Sequence, residues 1–277
     1  MDWINEAIAW LGTPTGQAAL SSFGVFLLVG FLAQLVDGAL GMAYGAVGSS
    51  VLLAFGVPPA AASASVHAAE VFTTAASATS HAAHRNVDWR LFFPLAGAGV
   101  VGGVLGAFVL TGIEGDVIKP FVVGYLALIG LYILYRAFRN ARPRHVPRHW
   151  GAPVGLVGGF LDSVGGGGWG ATVSSAMMGA GVEARKAVGT VNSAEFFVTL
   201  AISAAFVWAL VTGRWETEEG LRSYASAVAG LIVGGLFAAP FAGVIVKRVP
   251  QRLLTFAVAF LILGLSAYQF AQIKGLI

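Results

Sequence analysis

The chain has 277 residues, 57% of them hydrophobic and 10% charged, with a formal net charge of +3. A soluble domain carries about 25% charged residues, so a chain with a mean hydropathy of +0.80 belongs in a bilayer rather than in water. Cysteine is absent, which excludes disulfides, thiolate metal sites and cysteine nucleophiles. The bases lie in short loops between apolar runs, where they orient a membrane chain rather than bind nucleic acid.

Residues 1–12 lack the basic start of a signal peptide, and their Trp3, Ile4, Ala7, Ile8, Trp10 and Leu11 suit a short helix at the membrane interface. An interfacial segment is therefore expected over 1–19. Apolar stretches follow at 20–56, 59–83, 91–111 and 117–135, then at 152–181, 187–211, 224–246 and 253–273. They predict an all-α integral membrane protein. The first and fifth stretches exceed the roughly 20 residues of one crossing, and glycine interrupts both. The breaks are Asp37-Gly38-Ala39-Leu40-Gly41 and Asp162-Ser163-Val164-Gly165-Gly166-Gly167-Gly168. Glycine runs oppose helix at about 1 kcal/mol each, so each stretch is expected to form two helices joined by a glycine-rich turn.

The two breaks are related to one another. Shifting the chain by 125 residues lays 37–74 on 162–199 without a gap, with 14 of 38 positions identical. Asp37 falls on Asp162, Gly41 on Gly166, Ser49 and Ser50 on Ser174 and Ser175, and Glu70 on Glu195, while Tyr44 meets Trp169 and His67 meets Asn192. A shared bias toward small residues does not align two aspartates and two glutamates. The chain reads as a first repeat at 20–138, a basic linker at 139–149 and a second repeat at 150–277.

Charge then predicts orientation. Arg85 and Arg90, the run Arg136, Arg139, Arg142, Arg144 and Arg148, the pair Arg185 and Lys186, and Lys247, Arg248 and Arg252 make up 12 of the 16 lysines and arginines. Those four places are assigned to the cytoplasm. The remaining connections carry Asp2 and Glu6, Glu114 and Asp116, and Glu216, Glu218 and Glu219. This works only if each glycine-broken stretch returns to its own side. Each repeat is then a hairpin plus three transmembrane helices, an odd change of side, so the repeats have inverted topology and both termini lie outside.

Inverted repeats with broken helices are the architecture of secondary transporters, whose substrate sits near the midplane where the repeats meet. Unpaired backbone groups are tolerated at membrane depth only where they face a cavity or ligand. Gly41 to Tyr44 and Gly165, Gly166, Gly167, Gly168 and Trp169 open the second helix of each hairpin, and helix N-termini favour anions. No Lys or Arg lies deep in an apolar run, so an anion is expected to be held by N–H groups, by Ser49, Ser50, Ser174 and Ser175, and by His67 with its counterpart Asn192. Tyr44 and Trp169 are expected to wall or gate the site.

Asp37, Glu70, Asp162 and Glu195 are the acids embedded in apolar segments, and buried charge there defaults to a functional hypothesis. Glu70 or Glu195 is expected to exchange protons during transport. Their bland readings are structural: the aspartates as caps of the following turn, the glutamates as partners of a helix end. Gly99/Gly103, Gly102/Gly106 and Gly230/Gly234 have the spacing of helix-packing sites, and Trp150, Trp208 and Trp215 that of interface anchors.

The duplicated glycine element, Gly165–Gly168 and more loosely Gly38-Ala39-Leu40-Gly41, each followed by a polar-faced helix, resembles the sulfite exporter TauE/SafE family. The first copy departs from the pattern, since Leu40, Met42 and Ala43 stand where the second copy has glycine. The resemblance implies a bacterial inner-membrane carrier moving sulfite or small organosulfonates outward. A cation or metal-ion permease using the four carboxylates, an anion channel and an intramembrane aspartic protease are the competing readings. No catalytic group, metal site or cofactor is expected; the partners are a small anion and lipid, with a homodimer left open. No G-x-x-x-x-G-K-[ST] motif is present, so ion gradients, the substrate gradient or a partner must supply the energy for transport.

Overall fold

The computed structural model describes residues 6, 9–138, 150–179, 181–215, 224–248 and 250–277. Residues 1–5, 7 and 8 of the interfacial segment (Trp3, Ile4, Ala7 and Ile8 among them), the linker 139–149 and the acidic Glu216, Glu218 and Glu219 lie outside the described residues. The first half runs α1 (Pro14–Leu40), α2 (Tyr44–Ala54), α3 (Pro59–Ala83), α4 (Trp89–Thr111) and α5 (Gly115–Phe138). In the second half, α6 (Gly151–Gly165) is followed by a π-helical turn (Gly170–Ser174) leading into α7 (Ser175–Gly179), then α8 (Ala184–Val211), α9 (Ala225–Arg248) and α10 (Gln251–Ile273). Among the described residues there is no strand.

Five helices contain spans long and apolar enough to cross a membrane: Pro14–Gly38, Trp89–Thr111, Gly115–Phe138, Arg185–Val211 and Arg252–Ile273. The chain is a multi-pass membrane protein. Its surface carries large apolar side chains such as Phe93, Phe121 and Phe237, while His67, Ser174, Thr199 and Gln269 are buried. That distribution reverses what water imposes and suits a lipid solvent. α3 is the polar inner helix, burying Ser63, Ser65, His67, Glu70, Thr73 and Thr74. Trp150 and Trp208 are exposed, as anchors must be, but Trp215 is buried with its ring 5.8 Å from that of Phe206.

Local chemistry sets the helix ends. Pro14 starts α1 with its φ already helical, and the Thr13 side chain caps it by accepting from the Gly16 N–H at 3.1 Å. Residues 14–19 therefore open the first membrane helix, earlier than the expected boundary at 20. α1 and α6 end alike, on Gly41 (φ 66°) and Gly166 (φ 70°), whose N–H groups donate to the Asp37 and Asp162 carbonyls. At 1.5 Å per residue, the 15 residues of α6 rise about 22 Å and the ten of Gly170–Gly179 about 15 Å. Neither is long enough to cross a hydrocarbon core of about 30 Å.

Packing exchanges the halves. α1 lies along α9, and α4 along α6. Gly30 abuts the Leu231 backbone, Gly230 and Gly234 abut Phe23 and Leu27, and Gly102 and Gly106 abut Leu156 and Phe160. Absent side chains let the backbones approach closely, which supplies the dispersion contact that holds helices together in lipid. α3 packs on α8, α5 on α10, α4 on α8 and α9 on α3. Exchanging the repeats turns α1–α9 into α6–α4 and α4–α8 into α9–α3, and maps α3–α8 and α5–α10 onto themselves.

Candidate functional site

The two breaks touch. A methyl group added to Gly45, in the first turn of α2, would lie 2.7 Å from Gly167 Cα, and one added to Gly170 would lie 2.7 Å from the Gly41 carbonyl oxygen and 2.9 Å from Met42 Cα. Two serines brace this junction reciprocally. Ser49 Oγ donates to the Gly166 carbonyl, and Ser174 Oγ donates to the Gly41 carbonyl at 3.4 Å. Each helix that leaves a break is thus held against the glycine turn of the other repeat.

Asp37 and Asp162 cap across their own breaks. The Tyr44 N–H donates to Asp37 Oδ1 at 3.4 Å, and the Trp169 N–H to Asp162 Oδ1 at 2.8 Å. A carboxylate at a helix N-terminus satisfies an otherwise unpaired donor and meets the positive end of the dipole. The N–H groups of Ala43 and Gly168, one residue earlier, donate to no described residue. Neither aromatic ring swings freely. Tyr44 OH donates to the Leu231 carbonyl at 2.9 Å, and the fully buried Trp169 donates from Nε1 to the Val191 carbonyl at 3.1 Å.

His67 joins the halves. Its Nδ1–H donates to the Ser63 carbonyl at 2.8 Å, and its Nε2 lies 3.2 Å from Asp162 Oδ2. Ser63 Oγ donates to the Ser163 carbonyl at 2.6 Å alongside. Both ring nitrogens are therefore engaged with protein rather than offered to an anion. Asn192 does not repeat this contact: its Nδ2 donates to Ser77 Oγ at 3.2 Å and its Oδ1 has no partner among the described residues.

Glu70 and Glu195 are both buried. Glu70 Oε1 lies 2.8 Å from where a methyl on Gly45 would sit, and its Oε2 has no hydrogen-bond partner among the described residues. Glu70 interacts electrostatically with Asp162, Glu195 and Asp37, and Glu195 with Asp37 and Asp162. Asp37, Glu70 and Asp162 thus reach the junction from α1, α3 and α6. Among the described residues no three of His, Asp and Glu are arranged to hold one metal ion.

Residues 26–269 match the sulfite exporter TauE/SafE family. The chain belongs to that family. It is also similar to a Bacillus subtilis (strain 168) protein described as a probable membrane transporter protein, YtnM, with 42% identity over 250 residues, covering 88% of this chain and 81% of that relative. No solved structure matches. This TauE/SafE chain is accordingly a membrane transporter of an anion-exporter family and not an enzyme.

Two residues of this transporter escaped the reading of its sequence. Tyr125 of α5 packs its ring on Gly165 and its hydroxyl against Gly168, with no partner for that hydroxyl among the described residues. The gap-free match between the repeats ends at 74 and 199 and does not reach Tyr125, so the repeat gave no signal. Arg136 counted only as a marker of orientation, yet it turns inward: Nη1 donates to Ser175 Oγ at 2.5 Å and reaches Met42 Sδ at 3.4 Å. Ser175 Oγ itself donates to the Ala171 carbonyl. Ser50 is buried, its Oγ without a partner among the described residues and its carbonyl accepting from Gln269 at 2.9 Å.

Proposed function

We propose that the protein is a secondary transporter that exports small sulfur-containing anions, sulfite or organosulfonates, across a bacterial inner membrane. The anion binds at the junction of the two breaks, near the midplane, and is exposed alternately to the two sides by rocking of one repeat against the other. The repeats are inverted, with both termini periplasmic. The reading is carried by the reciprocal bracing of the two breaks, Ser49 on Gly166 and Ser174 on Gly41. Only a pair of equivalent segments meeting at one point produces it, and such a point is where an alternating site belongs.

Helix N-termini supply the attraction. The N–H groups of Ala43 and Gly168 are the donors offered to the anion, while Asp37 and Asp162 hold the following N–H groups and keep the helix starts ordered when no cargo is present. Glu70 and Glu195 exchange the coupling proton. An anion arriving beside buried acids meets like charge, and taking up a proton as the anion arrives relieves that conflict.

Counterflow of labelled sulfite in proteoliposomes of the full chain tests this reading. Saturable exchange is expected, with a dependence on the pH gradient that Glu70→Gln or Glu195→Gln abolishes. Flux proportional to concentration and without exchange would make the protein a channel. Unchanged pH dependence in both variants would remove the glutamates from coupling.

A further inference from the structure

The charge of the cargo lacks an obvious counterpart at the junction, because everything so far placed there is neutral or acidic. Arg136 alters that balance. It lies in the last turn of α5, where a basic side chain would ordinarily extend toward the interface and water. Instead the guanidinium is half-buried and contacts both breaks at once, Met42 in the first and Ser175 at the start of α7 in the second. Among the described residues it makes no ion pair; its electrostatic neighbour on its own helix is Tyr132. A cation drawn against a polar junction with no carboxylate beside it is complementary to an anion that comes and goes.

Geometry narrows the anion's chemistry. Both contacts use Nη1, so Nε and Nη2 donate to no described residue. Those two N–H groups are parallel and lie along one edge of the planar fork, matched to two oxygens of a carboxylate, phosphate or sulfur oxyanion. A monatomic anion cannot use both.

Resting on the proposed transport function, we infer that Arg136 is an anion-binding residue that receives two oxygens of a sulfite or sulfonate group through its Nε–Nη2 edge, at the side of the junction where Met42 and Ser175 meet. Ser175 holds the guanidinium in place by accepting from Nη1, which leaves the edge aimed at the cargo. Arg136 belongs to the first repeat, and α10, the corresponding helix of the second, has no basic residue in its last turn, so the site makes the two sides of the transporter unequal toward substrate.

Sulfite exchange by proteoliposomes of the full chain, measured against concentration for wild type, Arg136→Gln and Arg136→Lys, decides the matter. A charge-assisted bond contributes about 1.5–3 kcal/mol, so Arg136→Gln is expected to raise KM at least about tenfold with the maximal rate kept within about twofold. Arg136→Lys, which keeps charge and loses the edge, falls between. A wild-type KM in Arg136→Gln overturns the inference, as does a lower maximal rate at unchanged KM, the signature of a mere brace. Full restoration by lysine would show that the edge is not used. Should Arg136→Gln fail to fold, Arg136→Lys alone decides, a raised KM supporting the inference and a wild-type KM refuting it. Absence of sulfite exchange in the wild type would instead defeat the transport reading, and this inference with it.

Discussion

The two breaks began as copies and have diverged in how firmly they are held. In the second, Asp162 is 1% exposed, caps Trp169 at 2.8 Å and meets His67 across the halves. In the first, Asp37 is half-buried, its bond to Tyr44 stretches to 3.4 Å, and Asn192, the counterpart of His67, bonds elsewhere. The backbones differ too. Gly168 adopts φ 134° and Ala43, its counterpart, is forced to φ 122°, a region that side chains with a Cβ rarely enter. The second break is locked and relaxed; the first is looser and strained. Strain of this kind collects where a structure must change state, so the first hairpin is the one expected to move more if the protein transports as proposed.

Three substitutions break or sharpen that contrast. The largest effect is expected from Gly167→Ala. Its φ is 145° and a Cβ there would overlap the Gly45–Ala46 backbone, which no rotamer change can relieve. A loss of about 3 kcal/mol or more, with transport abolished, is expected, whereas Met42→Gly, at the equivalent place in the first break, leaves a folded protein. Melting of the purified protein in detergent with a transport assay checks both.

Next comes the aspartate pair. Asp162→Ala removes a cap and half of a buried pair and is expected to cost about 3 kcal/mol; Asp37→Ala removes only a stretched cap, about 1 kcal/mol. Equal losses in denaturation would mean that the breaks are equivalent after all. The smallest effect is a gain. Ala43→Gly relieves the left-handed strain and is expected to stabilise by about 1 kcal/mol, while slowing exchange if the strain drives the first hairpin's movement. A destabilised Ala43→Gly protein would show that the alanine side chain contributes packing that outweighs its backbone cost.

Much of this was legible in the sequence because a duplication reports on itself. The offset of 125 residues located both breaks, the capping aspartates and the paired glutamates. Contacts between the halves were not legible. Helical spacing placed His67 on the same face as Glu70, but a face does not name its partner, and the partner is Asp162, 95 residues away. Arg136 ends an apolar run, so its charge read as a topology marker; its inward turn depends on Ser175, which only folding brings near. Tyr125 lies outside the matched stretch of the repeat and resembles any lipid-facing aromatic until its contact with Gly168 is seen. α1 begins before the apolar run that defines the span, because Pro14 and its Thr13 cap precede that run.

Central to the proposed function is that two copies of one unit lie upside down relative to each other. Because the chain has no cysteine, single cysteines can be placed in equivalent loops, Arg85→Cys after α3 and Thr212→Cys after α8, and labelled with a membrane-impermeant thiol reagent. Inversion predicts that residue 85 reacts only from the cytoplasm and residue 212 only from outside. Labelling of both from the same face would contradict it.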